Sequence, residues 1–309
     1  MITAQSILNA VQDQLIDSIN DLKTIHNISI LAHNYQRPEI YKVADHVGDS
    51  LELAKKARNI EADRIIFCGV RFMAETAKIL NPEMTVLLPE REATCSLAEM
   101  ITLEELNVLK AKYPDAAVVC YINTSAEVKA ASDICCTSSN ALKVVNSLPN
   151  KRVIFIPDRN LGLHIQQQTD KELILWNGYC SVHTELDSTE LLSFKRMHPG
   201  SKIVAHPECR PDILKAADHI CSTSAMIDYA RENQSSDFII VTECGMINKL
   251  AEEVPEKFFY SLCNFCRYMK LTTLNSVLES ILNIKNKIEL PEDIMSRARL
   301  SVEKMMKVS

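Results

Sequence analysis

The chain has 309 residues and a formal net charge of −6, and 47 % of its residues are hydrophobic and 24 % are charged. These values are typical of a soluble globular protein, and the negative charge argues against nucleic acid or an anionic membrane as a partner. The amino-terminal stretch lacks the basic start and unbroken apolar run of a secretory signal, and no stretch is long enough to span a bilayer, so we expect a cytoplasmic protein.

The first part of the chain alternates helices with short apolar strands and ends at Cys95. Its first helix has apolar residues at helical spacing, Ser50 is expected to cap the second, and Asn81-Pro82 ends the third. We predict helices at 7–22, 50–59 and 73–80. We predict strands, the second of them a short strand or turn, at 28–32, 43–49, 64–70 and 85–88.

The same order of elements recurs twice, first up to Cys180 and then up to Cys266. In the second part we predict helices at 102–113 and 138–147, and strands at 117–122, 152–156 and 173–176. In the third part we predict helices at 187–198 and from Thr223 onward, and strands at 202–205, 238–241 and 258–262. Two more helices follow, one at 274–282 and one after Pro291.

Three groups of residues recur at one interval, which marks a triplicated unit. The cysteines that end the units, at steps of 85 and 86 positions, are Cys95, Cys180 and Cys266. The polar triplets after the first strands, at steps of 88 and 85, are His33-Asn34-Tyr35, Tyr121-Ile122-Asn123 and His206-Pro207-Glu208. The aspartates that open a third recurring segment, at the same two steps, are Asp45, Asp133 and Asp218.

We therefore predict an α/β protein of three pseudo-symmetric α/β/α domains with short parallel sheets, at 1–101, 102–186 and 187–272. The helices in 273–309 are expected to pack back on the first domain. Because no Gly- or Ser-rich linker separates the units, we expect them to pack tightly. If they surround a pseudo-threefold axis, the carboxyl ends of their strands converge on one cavity.

The cysteines indicate a metal centre. An odd number of them, eleven, is scattered along the chain, which favours metal ligation in a reducing compartment. Structural zinc sites usually need four ligands. Cys95, Cys180 and Cys266 better suit a [4Fe-4S] cluster with one open iron that binds substrate as a Lewis acid. The alternative is that they are buried core thiols, the usual fate of a free cysteine. Cys263 does not fit the period.

Two further sets of residues indicate the substrate and the proton carriers. Hydroxyl caps at equivalent helix starts, together with free N–H groups and the helix dipole, favour a polyanion that carries carboxylates and phosphate. These caps are Ser50, Ser138 and Thr223. The triplets supply groups that carry protons or form hydrogen bonds, namely His33, Tyr35, Tyr121, Asn123, His206 and Glu208. Each of these could instead be a satisfied structural residue.

Nine motifs occur in order over nearly the whole chain: His33-Asn34-Tyr35-Gln36, Val47-Gly48-Asp49-Ser50, Cys95-Ser96-Leu97-Ala98, Tyr121-Ile122-Asn123-Thr124, Cys136-Thr137-Ser138-Ser139-Asn140, Asn177-Gly178-Tyr179-Cys180, His206-Pro207-Glu208-Cys209, Thr242-Glu243-Cys244-Gly245-Met246 and Cys266-x-x-Met269-Lys270. Together they resemble the quinolinate synthase family. The resemblance implies three α/β/α domains around an oxygen-sensitive [4Fe-4S] cluster. It implies condensation of iminoaspartate with dihydroxyacetone phosphate to quinolinate, phosphate and two waters, a step of de novo NAD biosynthesis.

The resemblance also implies roles for individual residues. The ligands of one cluster per chain would be Cys95, Cys180 and Cys266. The residues that contact substrate would be His33, Ser50, Tyr121, Asn123, Ser138, His206, Glu208 and Thr223. The residues that move protons would be Tyr35, His206 and Glu208. An aspartate-oxidising enzyme would supply the unstable imine, which implies functional coupling to it.

Two other functions remain open from the residues alone. One is a non-catalytic metal or redox sensor whose thiols hold zinc or pair as disulfides. The other is a different [4Fe-4S] dehydratase of the aconitase type. Some members of the resembled family carry a C-x-x-C-x-x-C run at the last ligand, whereas this chain has only Cys263 and Cys266 there.

Overall fold

The chain forms three equivalent units, each built on a four-stranded parallel sheet. The structure is a computed structural model and describes residues 4–308. Residues 1–3 and 309, at the ends of the first and last predicted segments, lie outside the described residues. No helix within residues 4–308 combines the length and apolar character needed to cross a membrane.

The first unit starts with a long helix and continues as alternating strands and helices. Its helices are α1 (Ala4–Ile25), α2 (Pro38–Tyr41), α3 (Ser50–Arg58) and α4 (Arg71–Leu80). Its strands are β1 (Ile28–His33), β2 (His46–Gly48), β3 (Arg64–Cys68) and β4 (Thr85–Leu87). The strands pair in the order β2-β1-β3-β4 and are all parallel.

The second unit repeats this plan after a short 3₁₀ turn at Ala98–Met100. Its helices are α5 (Leu103–Lys112), α6 (Ala126–Ala130), α7 (Ala141–Ser147), α8 (Arg159–Gln166) and α9 (Ser181–Thr184). Its strands are β5 (Ala117–Tyr121), β6 (Ile134–Cys136), β7 (Arg152–Ile156) and β8 (Glu172–Leu175). They pair in the order β6-β5-β7-β8, again parallel.

The third unit has the same sheet order, β10-β9-β11-β12. Its helices are α10 (Ser188–Met197), α11 (Pro211–Ala216), α12 (Thr223–Glu232) and α13 (Met246–Glu253). Its strands are β9 (Lys202–Ala205), β10 (His219–Ile220), β11 (Asp237–Val241) and β12 (Phe258–Ser261). Helices α14 (Leu274–Asn283) and α15 (Glu292–Lys307) complete the described chain.

The recurring aspartates are structural and give the repeat a physical cause. The second oxygen of each carboxylate accepts a hydrogen bond from an N–H in the first strand of its unit. The donors and distances are Ile30 N to Asp45 (2.7 Å), Val118 N to Asp133 (2.7 Å) and Ile203 N to Asp218 (2.9 Å). A strand N–H without a partner is costly when buried, so each unit keeps this aspartate.

The prediction of an α/β fold built from three equivalent units with short parallel sheets is confirmed. The central strands are apolar and buried over almost their whole length, because helices cover both faces of each parallel sheet. Six short helices were not predicted: α2, α6, α8, α9, α11 and α13.

The two last helices pack on different parts of the molecule. Helix α14 lies against α1 and β3 of the first unit, where Val277 and Ile281 share a core with Ile19. Helix α15 lies against α6 and β6 of the second unit as well as α4 of the first, and Ala298 shares a small core with Ile79 of α4 and Ala126 of α6. We expected both helices to pack on the first unit, whereas α15 bridges the first and second units.

Candidate active site

The carboxyl ends of the three sheets face one cavity with a volume of about 450 Å³. Ligands of parallel sheets gather at this end of the strands, and the volume is within the range of small-molecule sites. The cavity is lined by all twelve site residues selected from the sequence: His33, Tyr35, Ser50, Cys95, Tyr121, Asn123, Ser138, Cys180, His206, Glu208, Thr223 and Cys266. The fold therefore gathers side chains from all three units at one place.

Each of the three cavity cysteines follows the last strand of its sheet, and one main-chain hydrogen bond recurs beside all of them. The residue two positions before each cysteine accepts this bond from an N–H just beyond the third strand. The bonds, each 2.8 Å long, are Arg71 N to Ala93 O, Arg159 N to Gly178 O and Cys244 N to Asn264 O. Cys95, Cys180 and Cys266 therefore occupy equivalent positions.

The thiols of these three cysteines are partly buried and are not in disulfides. Burial raises the pKa of Cys95 to about 12 and also raises the pKa values of Cys180 and Cys266. Coordination to a metal reverses this preference, because it holds the sulfur as a thiolate. Three unpaired thiols from three units around one cavity are a donor set that fits an iron–sulfur cluster with three protein ligands.

A more compact group lies on one side of the cavity. The ligand atoms of Cys180, His183 and Glu208 lie within 4.8 Å of one another and could hold a single metal ion. Both ring nitrogens of His183 already contact protein atoms, however. Nδ1 lies 2.9 Å from Oε2 of Glu208, and Nε2 lies 2.8 Å from Oγ1 of Thr242. An ion bound by His183 would have to displace one of these contacts.

The same histidine is the centre of a chain of polar groups that crosses the cavity wall. Tyr35 OH lies 2.6 Å from Oγ1 of Thr242, which contacts His183, and Tyr121 OH donates a short hydrogen bond to Oε1 of Glu208. The contact of His183 with Glu208 is close but not aligned as a hydrogen bond. All five groups are buried, so this chain connects two cavity tyrosines out of contact with bulk water.

Burial sets the charge state of the cavity histidines and tyrosines, and a close partner sets that of Glu208. It lowers the pKa of His33 to about 4 and that of His206 to about 3, so both rings are neutral at pH 7. It raises the pKa values of Tyr35 and Tyr121 well above the usual value of a tyrosine. Burial alone would also raise the pKa of Glu208, but the nearby His183 lowers it to about 2. Glu208 is therefore an anion, whereas His33, His206, Tyr35 and Tyr121 are uncharged at pH 7.

The helix starts at the cavity differ from the prediction that Ser50, Ser138 and Thr223 are caps. The cap of α3 is Asp49, whose Oδ1 accepts from Leu51 N and Glu52 N, and Ser50 is the first helical residue. Helix α12 likewise begins at Thr223, and α7 begins three residues after Ser138. The three hydroxyls line the cavity, but none of them caps its helix.

Hydroxyl groups near the helix starts join the three units around the cavity. Ser139 Oγ donates to Oδ2 of Asp49 across the first and second units, at 2.8 Å. Ser138 Oγ lies 3.2 Å from Nε2 of His206 across the second and third units. The third junction is Asn34 Nδ2, which donates to Oγ1 of Thr223 at 3.2 Å. Each junction between units therefore contains a hydrogen bond beside the cavity.

Two residues of the polar chain were not identified from the sequence. His183 lies three positions after Cys180, where the other two units have Ala98 and Met269, so the internal repeat gave no signal for it. Thr242 directly follows β11 and lies within one of the nine motifs, but a threonine after a buried strand carries no chemical signature by itself. The one available indication for Thr242 was its position directly after the carboxyl end of a strand in a parallel sheet, where ligands gather.

Comparison with known proteins gives the family. The family model described as "Quinolinate synthetase A protein" matches residues 17–307. A protein of Methanosarcina barkeri named "Quinolinate synthase" is 47 % identical over 299 residues, which cover 96 % of this chain and 98 % of the relative. A protein of the same name from Clostridium perfringens is 50 % identical over 295 residues, 94 % of this chain and 98 % of the relative.

A third relative, from Methanoregula boonei and also named "Quinolinate synthase", is 49 % identical over 294 residues. The alignment covers 94 % of this chain and 97 % of the relative. Identity of this order over almost the whole length of several relatives, with a family model that matches nearly all of the chain, shows that the chain belongs to the quinolinate synthetase A family.

Proposed function

We propose that the cavity condenses iminoaspartate with dihydroxyacetone phosphate to give quinolinate, phosphate and two waters, as a step of NAD biosynthesis. Family membership supports quinolinate synthase activity. The observation that carries the assignment of the site is that twelve residues selected from three sequence repeats line one cavity. An aspartate-oxidising enzyme would supply the imine.

Cys95, Cys180 and Cys266 would hold one [4Fe-4S] cluster at this cavity. When bound, the cluster supplies an open iron that acts as a Lewis acid on a substrate oxygen or nitrogen and assists the departure of hydroxyl groups. The free thiols, their equivalent positions in the three units and their common cavity support this assignment.

The substrate anions would bind to hydroxyl and amide groups rather than to open helix ends. At α3 the Asp49 carboxylate already accepts the first-turn N–H groups, so Ser50 would contribute its own polar groups. Ser138 and Thr223 offer hydroxyls from the other two units. Oδ1 of Asn123 is buried at the cavity without a hydrogen-bond partner, so it is available to a ligand donor.

Proton transfer would use the polar chain of Tyr35, Thr242, His183, Glu208 and Tyr121. Formation of the carbon–carbon bond requires loss of a proton from a carbon next to a carbonyl group, and each dehydration delivers a proton to a departing hydroxyl. Tyr35, His206 and Glu208 are the groups that would exchange protons with substrate. Thr242 and His183 connect Tyr35 with Glu208 and keep the exchangeable protons inside the protein.

A metal sensor that binds zinc is the second candidate, and the compact group of Cys180, His183 and Glu208 is the observation that favours it. An anaerobic assay separates the candidates. The purified chain, supplied with dihydroxyacetone phosphate and freshly generated iminoaspartate, is expected to form quinolinate. A zinc-loaded chain that forms none would support the sensor. A chain that dehydrates hydroxy acids but forms no quinolinate would support an aconitase-type dehydratase.

A further inference from the structure

The three cysteine loops are held in the same way by main chain but in different ways by side chains. In every unit the residue just beyond the third strand donates an N–H to the loop, two positions before the cysteine. The residue before that donor occupies one equivalent position in the three units. The residues at this position are Val70, Asp158 and Glu243. A carboxylate is thus present beside two of the three loops.

Each of these carboxylates accepts a hydrogen bond from the main-chain N–H of a cavity cysteine. Oδ2 of Asp158 accepts from Cys180 N at 3.3 Å, and Oε1 of Glu243 accepts from Cys266 N at 3.1 Å. The second oxygen of each accepts from the start of the following helix. The donors there are Leu161 N at 2.7 Å and Gly245 N at 2.8 Å. Each carboxylate therefore joins a cysteine loop to a helix start.

Both of these carboxyl groups are buried, so each depends on its hydrogen-bond partners. Asp158 and Glu243 are both 0 % exposed, and a buried carboxylate is costly unless it is hydrogen-bonded or paired. Glu243 has a cation partner, since Lys270 Nζ lies 3.1 Å from its Oε1. Asp158 has main-chain donors as its hydrogen-bond partners. The first unit has the apolar Val70 here, so Cys95 lacks this contact.

We propose that Asp158 and Glu243 are positioning residues that fix the main chain of Cys180 and Cys266 for binding of the cluster, with Cys95 as the less constrained ligand. The inference rests on the proposed function for the cluster itself. Each carboxyl group accepts one hydrogen bond from the cysteine N–H and one from a helix start, so it ties the loop that carries the sulfur to a rigid element and limits rotation of that loop. Groups that orient metal ligands commonly change metal affinity by about 10–100-fold when they are removed.

Amide hydrogen exchange of the full chain, purified anaerobically, tests the hydrogen bonds directly. Asp158→Ala should raise the exchange rate at the Cys180 amide about tenfold or more and leave the Cys95 loop unchanged. Glu243→Ala should do the same at Cys266. Glu172→Gln, which changes an exposed carboxylate on β8, should alter neither. Unchanged protection at Cys180 and Cys266 in folded variants would overturn the proposal.

The rate at which a chelator removes iron from the same proteins supplies the second measurement. We expect Asp158→Ala and Glu243→Ala to lose iron about tenfold faster than wild type, and Glu172→Gln to lose it at the wild-type rate. Iron loss at the wild-type rate in both alanine variants would overturn the inference. Wild type that binds no iron at all would instead refute the proposed function, so the two failures are distinguishable. Circular dichroism identifies an alanine variant that does not fold. Such a variant is replaced in both measurements by Asp158→Asn or Glu243→Gln, each of which removes one of the two acceptor oxygens.

Discussion

At the scale of single residues, the Glu208 carboxylate joins a tyrosine and a histidine at the cavity wall. It accepts a hydrogen bond from Tyr121 and lies beside His183, whose ring also stacks on His206 with centroids 4.7 Å apart. Glu208 therefore orients one tyrosine and one histidine while it faces the substrate cavity. We therefore expect a substitution of Glu208 to lower the rate of the reaction.

Glu208→Gln should keep the cluster and lose most of the turnover. The amide has nearly the same shape but lacks the charge that faces His183, so proton transfer along the polar chain suffers. Loss of acid–base assistance typically lowers a rate by about 10²–10⁴-fold. Quinolinate formation and iron content, measured anaerobically on one preparation, test this. Glu256→Gln, an exposed change in the same unit, is the control. A near-normal rate would remove Glu208 from proton transfer.

The neutral histidines predict loss of stability in mild acid. Burial lowers the pKa of His33 to about 4 and that of His206 to about 3, whereas an unfolded histidine titrates near 6.5. Below pH 6.5 the unfolded chain therefore binds more protons than the native one, and the free energy of unfolding decreases as the pH decreases, down to about pH 4 for His33 and about pH 3 for His206. At pH 5 each histidine should contribute a loss of about 2 kcal/mol.

Urea unfolding of the metal-free chain at pH 7 and pH 5 measures this effect. His33→Asn should reduce the difference in unfolding free energy between the two pH values, while the same change at the exposed His26 should not. An equal difference in wild type and His33→Asn would show that His33 does not titrate in this way.

At the scale of elements, the recurring aspartates explain why the second strand of each unit lies beside the first strand in all three sheets. Asp133 forms two hydrogen bonds with Val118: its Oδ2 accepts from Val118 N, and its own N–H donates to Val118 O at 3.1 Å. It makes these bonds without an added side-chain ion pair. Asp45 and Asp218 make the same bonds and also pair with a lysine. The aspartate thus fixes the segment before the second strand against the first strand.

Asp133→Ala should destabilise the chain by about 1–3 kcal/mol, because the N–H of Val118 in a buried strand loses its acceptor. Asp115→Ala removes an exposed carboxylate in the same unit, where an ion pair with Arg152 is worth at most about 1 kcal/mol. Chemical denaturation of both variants gives the comparison. Equal stability of the two variants would mean that the repeated aspartate does not hold the strands.

The sequence predicted the strands better than the helices, and the reason is physical. Strands at the centre of a parallel sheet are apolar runs, which are visible without knowledge of the fold. Helices α8 and α13 follow the third strands of their units as α4 does in the first, but only α4 was predicted. The cap of α3 was placed at Ser50 instead of Asp49, because both residue types cap helices and only the contact with Glu52 distinguishes them.

At the scale of the whole molecule, the repeat predicted that residues of all three units line one cavity. It did not predict the cavity residues at which the units differ from one another. Equivalent positions in three units predicted where the cysteines, the hydroxyls and the polar triplets would meet. The three units carry different residues at the positions of His183 and Thr242, so no internal comparison could find them. The placement of α15 also depends on tertiary contacts, since its apolar face fits the groove between α4 and α6.

Ala298→Asp should destabilise the chain strongly, by about 3 kcal/mol or more, because it buries a charge between α15, α4 and α6. Leu300→Asp on the exposed face of the same helix should change the unfolding free energy by less than about 1 kcal/mol. Thermal unfolding of both variants tests this. Similar melting temperatures would contradict a bridging role of α15 between the first and second units.

The cluster assignment is tested most directly by the iron and acid-labile sulfide content of the chain purified without oxygen. We predict about four irons and four sulfides per chain in wild type and in the control variant Cys263→Ala. Cys95→Ala, Cys180→Ala and Cys266→Ala should each lose most of both. A colourless wild-type chain with one bound zinc, or three alanine variants that keep their full iron content, would contradict the assignment.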